Sequence, residues 1–381
     1  MRVLHVNSGN LFGGIEVLLV TLAKHRELCP AIEPEYALCF SGRTQEELAA
    51  TGVDVHLLGA ARVSRPWTIW QVRRRLRTLL SERHYDAVVC HGSWSLCMFA
   101  PVVRQARIPL VMWLHCPPAE PLHWLERWGS WNAPDLTICN SDYTLAGAER
   151  LFPNGRVRRI YYPLHFPYRE ISPDERLATR KQFDTAADAV IILQVGRWDP
   201  YKGHLFLMQA LGLLRELPGW MCWQVGGVQN RAEENYIGTV RQAARAQGIE
   251  DRVRFLGFQD NQAALPRIMA AADVFCQPNV APEPFGIVFI EALQSGMPVV
   301  TTALGGPLEI VDSSCGYLVP AGEPRMLADL LQRLVGDPDL RRRLGANGPA
   351  RARAISEPAA CMRELEGTLR ELLGQLKQKA G

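Results

Sequence analysis

The chain has 381 residues, 48% hydrophobic and 21% charged, with a formal net charge of +3. That length suggests two domains with ample core, and so small a charge gives no electrostatic footprint of a nucleic-acid binder. No run of 18 uncharged apolar residues exists, which argues against a membrane-spanning helix, and the opening MRVLHVNSGN reads as a first strand rather than a leader.

In chain order, short apolar runs alternate with longer amphipathic ones. The first half predicts strands at Val3–Asn7, Glu35–Phe40, Asp54–Leu58, Ala87–Cys90, Leu110–His115, Leu136–Asn140 and Val157–Tyr161, with helices such as Glu16–Leu28, Thr68–Glu82 and Tyr143–Leu151 between them. Tyr162 to Asp174 is rich in Pro, His and aromatics without periodicity and reads as a linker. The rhythm then resumes with strands at Ala189–Val195, Trp220–Val225, Val253–Leu256, Val274–Gln277, Pro298–Thr302 and Gly316–Val319. From about Pro324 the chain reads as helical. This βαβα pattern predicts an α/β protein of two Rossmann-like, doubly wound parallel-sheet domains facing a central cleft. The expected boundaries are 1–165 and 166–356, with a helix over 357–381 crossing back to the first domain. The ten cysteines lack metal-type spacing; Cys90, Cys139 and Cys276 fall in strand-like runs, as buried reduced thiols of a cytoplasmic protein would.

Ligands of such sheets bind at the carboxyl ends of strands, so chemistry belongs in the loops that follow them. After the first strand, Gly13 and Gly14 open a helix; this is either a tight turn or a place where backbone N–H groups meet a phosphate, and it lacks the G-x-G-x-x-G dinucleotide pattern. His115 ends a strand, where it can bond a sugar hydroxyl or move a proton, although a lone His is more often structural. Gly196-Arg197 and Lys202-Gly203 follow the strand ending at Val195, and two cations there suit a diphosphate better than an ordinary solvated surface. In PEPFGIVFIEAL, Glu283 and Glu291 stand with seven residues between them, among them Phe285, Gly286, Ile287 and Val288. A loop carboxylate, a glycine that admits close approach, a helix N-terminus and a second carboxylate two turns in describe a sugar nucleotide site. Gly305-Gly306 is a further turn that can present amides, and Asp337-Pro338-Asp339 reads as a turn and cap rather than a metal site.

These segments, with SGMPVVTT at Ser295–Thr302, resemble retaining glycosyltransferases of family 4 (glycosyl transferase group 1), which have the GT-B fold. The resemblance covers nearly the whole chain. It implies an N-terminal acceptor domain and a C-terminal donor domain. By resemblance, Arg197 and Lys202 hold the donor diphosphate, Glu283 the sugar hydroxyls and Glu291 the ribose. The amides of Phe285 to Val288 face sugar and phosphate. Gly13, Gly14 and Gly196 line the donor, and His115 points at its sugar. No metal or other cofactor is implied. The expected activity is transfer of a hexose, UDP-glucose-like first and GDP-mannose second, to a saccharide or lipid-linked acceptor in surface polysaccharide or glycolipid synthesis. A sugar nucleotide epimerase and a non-catalytic binder on the same fold are the alternatives. One departure is the loop Gly226-Gly227-Val228-Gln229, which lacks an acidic residue. Two segments bear on the acceptor: Trp67 to Arg77, with clustered arginines, and the aromatic stretch His123 to Trp131. Either they pack as ordinary helices with a solvated face, or the first lies on the inner face of an anionic membrane and the second forms an acceptor platform.

Overall fold

The computed structural model describes residues 1–10, 12–168, 170–259 and 263–380; Leu11 of the Gly-Gly loop and Arg169 of the linker lie outside the described residues. The chain divides into two compact units, Met1–Leu164 together with the segment from Ser356 on, and His165–Ile355.

The first unit is a seven-stranded parallel sheet in the order β3-β2-β1-β4-β5-β6-β7. Its strands are β1 (Arg2–Asn7), β2 (Glu33–Leu38), β3 (Val55–Leu57), β4 (Ala87–His91), β5 (Leu110–Leu114), β6 (Leu136–Cys139) and β7 (Val157–Arg159). Apolar runs such as Ala87–Cys90 and Leu110–Leu114 are buried throughout, as strands covered on both faces must be. One face packs Leu4, Val6, Val88, Cys90 and Met112 against helices Pro66–Glu82 and Gly92–Gln105. The other packs Tyr36 and Leu38 against Leu19, Val20 and Ala23 of helix Gly14–Lys24.

Helix Pro66–Glu82 buries Val72, Leu76, Leu79 and Leu80 and leaves Trp67 and Trp70 exposed. Two of its arginines are structural: Arg73 Nε donates to the Met98 carbonyl (2.6 Å) and Arg75 Nη1 to that of Leu58 (2.9 Å). The last helix, Pro358–Ala380, belongs to this unit; it buries Met362, Leu365, Leu369 and Leu372, and the Cys29 thiol donates to its Glu366 (3.2 Å). Among the described residues, no helix is long and apolar enough to cross a membrane.

The second unit is a six-stranded parallel sheet in the order β10-β9-β8-β11-β12-β13. The strands are β8 (Val190–Val195), β9 (Trp220–Val225), β10 (Val253–Gly257), β11 (Val274–Gln277), β12 (Val299–Thr302) and β13 (Gly316–Val319). Ile192, Cys222, Val274 and Val300 form its core with Leu207 and Leu211 from one helix and Leu327 and Leu331 from another. Asp337 caps the helix starting at Pro338 by accepting from the Leu340 N–H (2.8 Å). Nine of the ten cysteines are buried. In both sheets the strand order reverses once, between β1 and β4 and between β8 and β11. At such a reversal the flanking loops part in opposite directions and leave room for a ligand.

Candidate functional site

In the second unit the predicted residues converge on the reversal between β8 and β11. The loop after β8 runs close over β11: a Cβ on Gly196 would lie 3.1 Å from Gln277 Oε1. Asp199 then caps a short 3-10 turn, Pro200–Lys202. At Gly203, φ is +76° and a Cβ would sit 1.8 Å from the Pro278 carbonyl oxygen, so only glycine closes the turn. This close approach carries Lys202 to the loop after β11. There Lys202 Nζ donates to Glu283 Oε2 at 2.5 Å, and Asn279 Nδ2 donates to the same oxygen at 3.0 Å. Burial works to lower the Lys202 pKa, but Glu283 and Tyr201 outweigh it and raise the value, so the ammonium stays charged.

Glu283 is held from behind by the glycine pair. Gly306 N–H donates to the Glu283 carbonyl (2.8 Å), and a Cβ on Gly305 would come within 2.3 Å of that oxygen. Gly305-Gly306 therefore supplies close backbone packing beneath the carboxylate. Helix Ile287–Gln294 follows, opened by Gly286 at φ +102°, where a Cβ would meet the Phe289 ring at 2.3 Å. Phe285 is buried, and the N–H groups of Ile287 and Val288 precede the bond from Phe289 N–H to the Gly286 carbonyl (3.0 Å). Glu291 is half-buried; no described group bonds its carboxylate, and burial pushes its pKa up to about 7.

Arg197 stands apart from the Lys202–Glu283 pair. Its side chain is 43% exposed, with Glu233 Oε1 at 3.8 Å and Asp199 Oδ2 at 3.7 Å. Glu233 lies in the first turn of helix Arg231–Ala246 and accepts from the Gln229 N–H (2.8 Å). An acidic residue thus does reach the loop after β9, four positions beyond the place where the sequence shows none. Its signal was the capping spacing Asn230-x-x-Glu233, with Asn230 Oδ1 accepting from the Glu233 N–H (3.0 Å). Asn279, the other partner of Glu283, carried no sequence signal.

In the first unit, Gly13, Gly14 and His115 sit at carboxyl ends of strands. The Gly13 N–H is taken by Glu16 Oε2 (3.0 Å), whose Oε1 accepts from Asn7 (2.9 Å), so the loop is tied to β1 and helix Gly14–Lys24 begins at an exposed Gly14. His115 directly follows β5 and is buried, with both ring nitrogens engaged: Nε2 with His91 (3.0 Å) and Nδ1 with the Tyr162 hydroxyl (2.6 Å).

Two doubly wound parallel-sheet units, with glycine loops and charged groups at the carboxyl ends of their strands, define the two-domain GT-B architecture. Family models match almost end to end: Glycosyltransferase Family 4 over residues 12–165 and Glycosyl transferases group 1 over residues 175–351. The chain belongs to this glycosyltransferase family. The lipopolysaccharide core biosynthesis glycosyltransferase LpsE of Rhizobium meliloti is 32% identical over 56% of this chain and 58% of its own length. The phosphatidyl-myo-inositol mannosyltransferase of Mycobacterium leprae is 37% identical over 41% of this chain and 40% of its own. The matched part therefore spans about half the length of these curated relatives. Anabaena HepE, solved in complex with UDP-glucose, superposes with a TM-score of 0.84 at 25% identity, covering 97% of this chain and 100% of that one.

Proposed function

We propose that the protein is a retaining, metal-independent hexosyltransferase. Its donor is a nucleoside diphosphate sugar, UDP-glucose or a close relative before GDP-mannose, and its acceptor a hydroxyl in surface polysaccharide or glycolipid synthesis. The observation that carries this is the Lys202–Glu283–Asn279 cluster, in a unit that also presents a half-exposed Arg197 on the loop after β8 and the N-terminus of helix Ile287–Gln294. Breaking a glycosyl–phosphate bond develops negative charge on the diphosphate. In this reading a charged Lys202, the Arg197 guanidinium and the first amides of helix Ile287–Gln294 meet that charge. The complexes of HepE with UDP and with UDP-glucose favour a uridine donor, and the name of LpsE favours a lipopolysaccharide-type acceptor.

Glu283 Oε2 already accepts from both Lys202 and Asn279. An oxygen so engaged is a poor nucleophile, and the two bonds fix the carboxylate so that its Oε1 can accept from sugar hydroxyls. We therefore favour departure and attack on one face of an oxocarbenium-like sugar, with the leaving phosphate taking the acceptor proton, over a covalent Glu283 intermediate. Glu291 accepts from the ribose hydroxyls.

The first unit carries a surface that suits a lipid-linked acceptor. Trp67, Trp70, Trp124, Trp128 and Trp131 are all exposed. Arg73 Cζ lies 5.9 Å from the Trp128 ring, which links helix Pro66–Glu82 to helix Trp124–Ser130, and on the first helix Arg74 Cζ lies 5.7 Å from the Trp70 ring. Tryptophan and arginine together favour the headgroup region of an anionic bilayer, and hence peripheral contact at a cytoplasmic membrane face. The test of the activity is transfer from UDP-glucose and GDP-mannose to candidate acceptors in EDTA, with the anomer of the product read by NMR. Release of an isomerised nucleotide sugar without acceptor selects the epimerase reading, and inversion at the anomeric carbon refutes retention.

A further inference from the structure

The first unit holds a line of polar groups that runs across its sheet beneath the strand ends. His5 on β1 meets His91 at the end of β4 (Nδ1 to Nε2, 2.9 Å), and His91 meets His115 (Nδ1 to Nε2, 3.0 Å). His115 Nδ1 meets the Tyr162 hydroxyl at 2.6 Å, and Asn140 Nδ2 donates to that hydroxyl at 3.0 Å. Every member is at most 4% exposed. The rings are clamped by stacking: His91 on His115 at 5.2 Å and 7°, Trp113 against both at 5.8 and 6.2 Å, and His5 on Tyr36 at 5.2 Å.

A neutral imidazole has one N–H donor and one bare nitrogen acceptor. In a chain of imidazoles the tautomers are therefore not independent, because each donor must face an acceptor. The Asn140 end sets the direction. Its Oδ1 accepts from the Thr144 hydroxyl (2.8 Å), which turns its amide N–H toward the Tyr162 oxygen. The 2.6 Å separation between the Tyr162 oxygen and His115 Nδ1 is that of an O–H donor rather than of a ring N–H, whose bonds run about 2.9–3.0 Å, and assigns the phenolic proton to His115 Nδ1. His115 then donates from Nε2 to His91 Nδ1, and His91 from Nε2 to His5 Nδ1. Burial, which lowers the pKa of all three histidines, keeps the chain neutral.

The geometry assigns His5, His91 and Tyr162 as positioning residues that lock His115 into one orientation and the neutral Nε2–H tautomer. Both ring nitrogens of His115 are then committed, so its part in glycosyl transfer is a fixed, uncharged wall with an oriented backbone, not proton transfer. The effect on turnover rests on the transferase reading above; the tautomer does not.

The test uses the full chain with 15N-labelled histidine. Long-range 1H–15N spectra are expected to show His115, His91 and His5 as single Nε2–H tautomers at pH 7. Tyr162→Phe removes the donor at the head and is expected to shift His115 to a mixture. His91→Phe keeps the stacked ring but cuts the chain; kcat is expected to fall about tenfold or more, with the donor KM changed less than about twofold. His5→Asn places an amide oxygen where Nδ1 stood and is expected to retain wild-type kcat and tautomer, whereas His5→Phe loses both. An Nδ1–H or doubly protonated His115 in the wild type overturns the assignment. So does a folded His91→Phe with unchanged kcat. A wild type with locked tautomers that transfers no sugar refutes the transferase reading, and with it the catalytic use of the lock, while the spectra still decide the lock itself.

Discussion

Glu291 makes the donor site sensitive to pH in a way that can be worked through. Burial raises its pKa from the ordinary 4.5 to about 7, and no described group bonds its carboxylate. A carboxyl whose folded pKa lies above its unfolded one destabilises the fold as it ionises. The penalty is absent below pH 4.5, grows between 4.5 and 7 and is complete above 7. Its size is at most about 3 kcal/mol, because solvent reaching the half-buried side chain screens part of it. Glu291→Gln is therefore expected to leave the melting temperature unchanged near pH 4.5 and raise it at pH 8. If ionised Glu291 accepts from ribose hydroxyls, binding must deprotonate it. Donor affinity should then weaken by up to about tenfold per pH unit below 7, and binding at pH 7 should release a fraction of a proton. Calorimetry in two buffers of different ionisation enthalpy reads that proton. A nucleotide sugar is the right ligand, since the terminal phosphate of a free nucleoside diphosphate titrates near pH 6 itself. Glu291→Gln should abolish both the proton release and the pH slope. Affinity that is flat from pH 5 to 8 with no proton exchanged would refute a role for ionised Glu291 in donor binding.

Arg197→Ala and Lys202→Ala should separate. Both are expected to remove transfer, but the half-exposed Arg197 leaves the melting temperature within a degree or two, whereas loss of Lys202 strands a buried Glu283 at a cost of about 3–5 kcal/mol. Adding Glu283→Gln to Lys202→Ala should restore most of that stability without activity, and equal melting temperatures for the two single variants would contradict the buried pair. Gly286→Ala forces a Cβ against Phe289 at φ +102° and is expected to lower stability by about 1–3 kcal/mol or more, read by chemical denaturation. Trp70→Ala with Arg74→Ala should reduce cosedimentation with anionic liposomes and leave nucleotide binding untouched; unchanged sedimentation removes the membrane contact from the account.

The strands were legible because both faces of a parallel sheet are covered, so each appears as a short apolar run between polar ones. Trp220–Val225 and Gly316–Val319 fall where the apolar run places them. The donor loops were legible because glycines with positive φ and charged residues stand together at strand ends, as at Gly203 and Gly286. Pairings were not. Nothing in the sequence says that Lys202 meets Glu283, because their contact depends on Gly203 packing against Pro278. Asn279 and Glu233 were missed because each acts through a partner: Asn279 through Glu283 four residues on in the same loop, and Glu233 through Arg197, distant in sequence. His5 and His91 read as strand residues, and only the strand order places them beside His115.

We propose that the second unit binds a nucleoside diphosphate sugar through Arg197, Lys202, Glu283 and Glu291 without a metal. The most direct measurement is the melting temperature against UDP-, GDP- and ADP-sugars, with and without EDTA, for the wild type and Arg197→Ala. A ligand that binds only the folded state must raise it. A rise is expected with one nucleotide class, uridine first, unchanged by EDTA and lost or much reduced in Arg197→Ala. No rise with any of them, or a rise that EDTA abolishes, would contradict it.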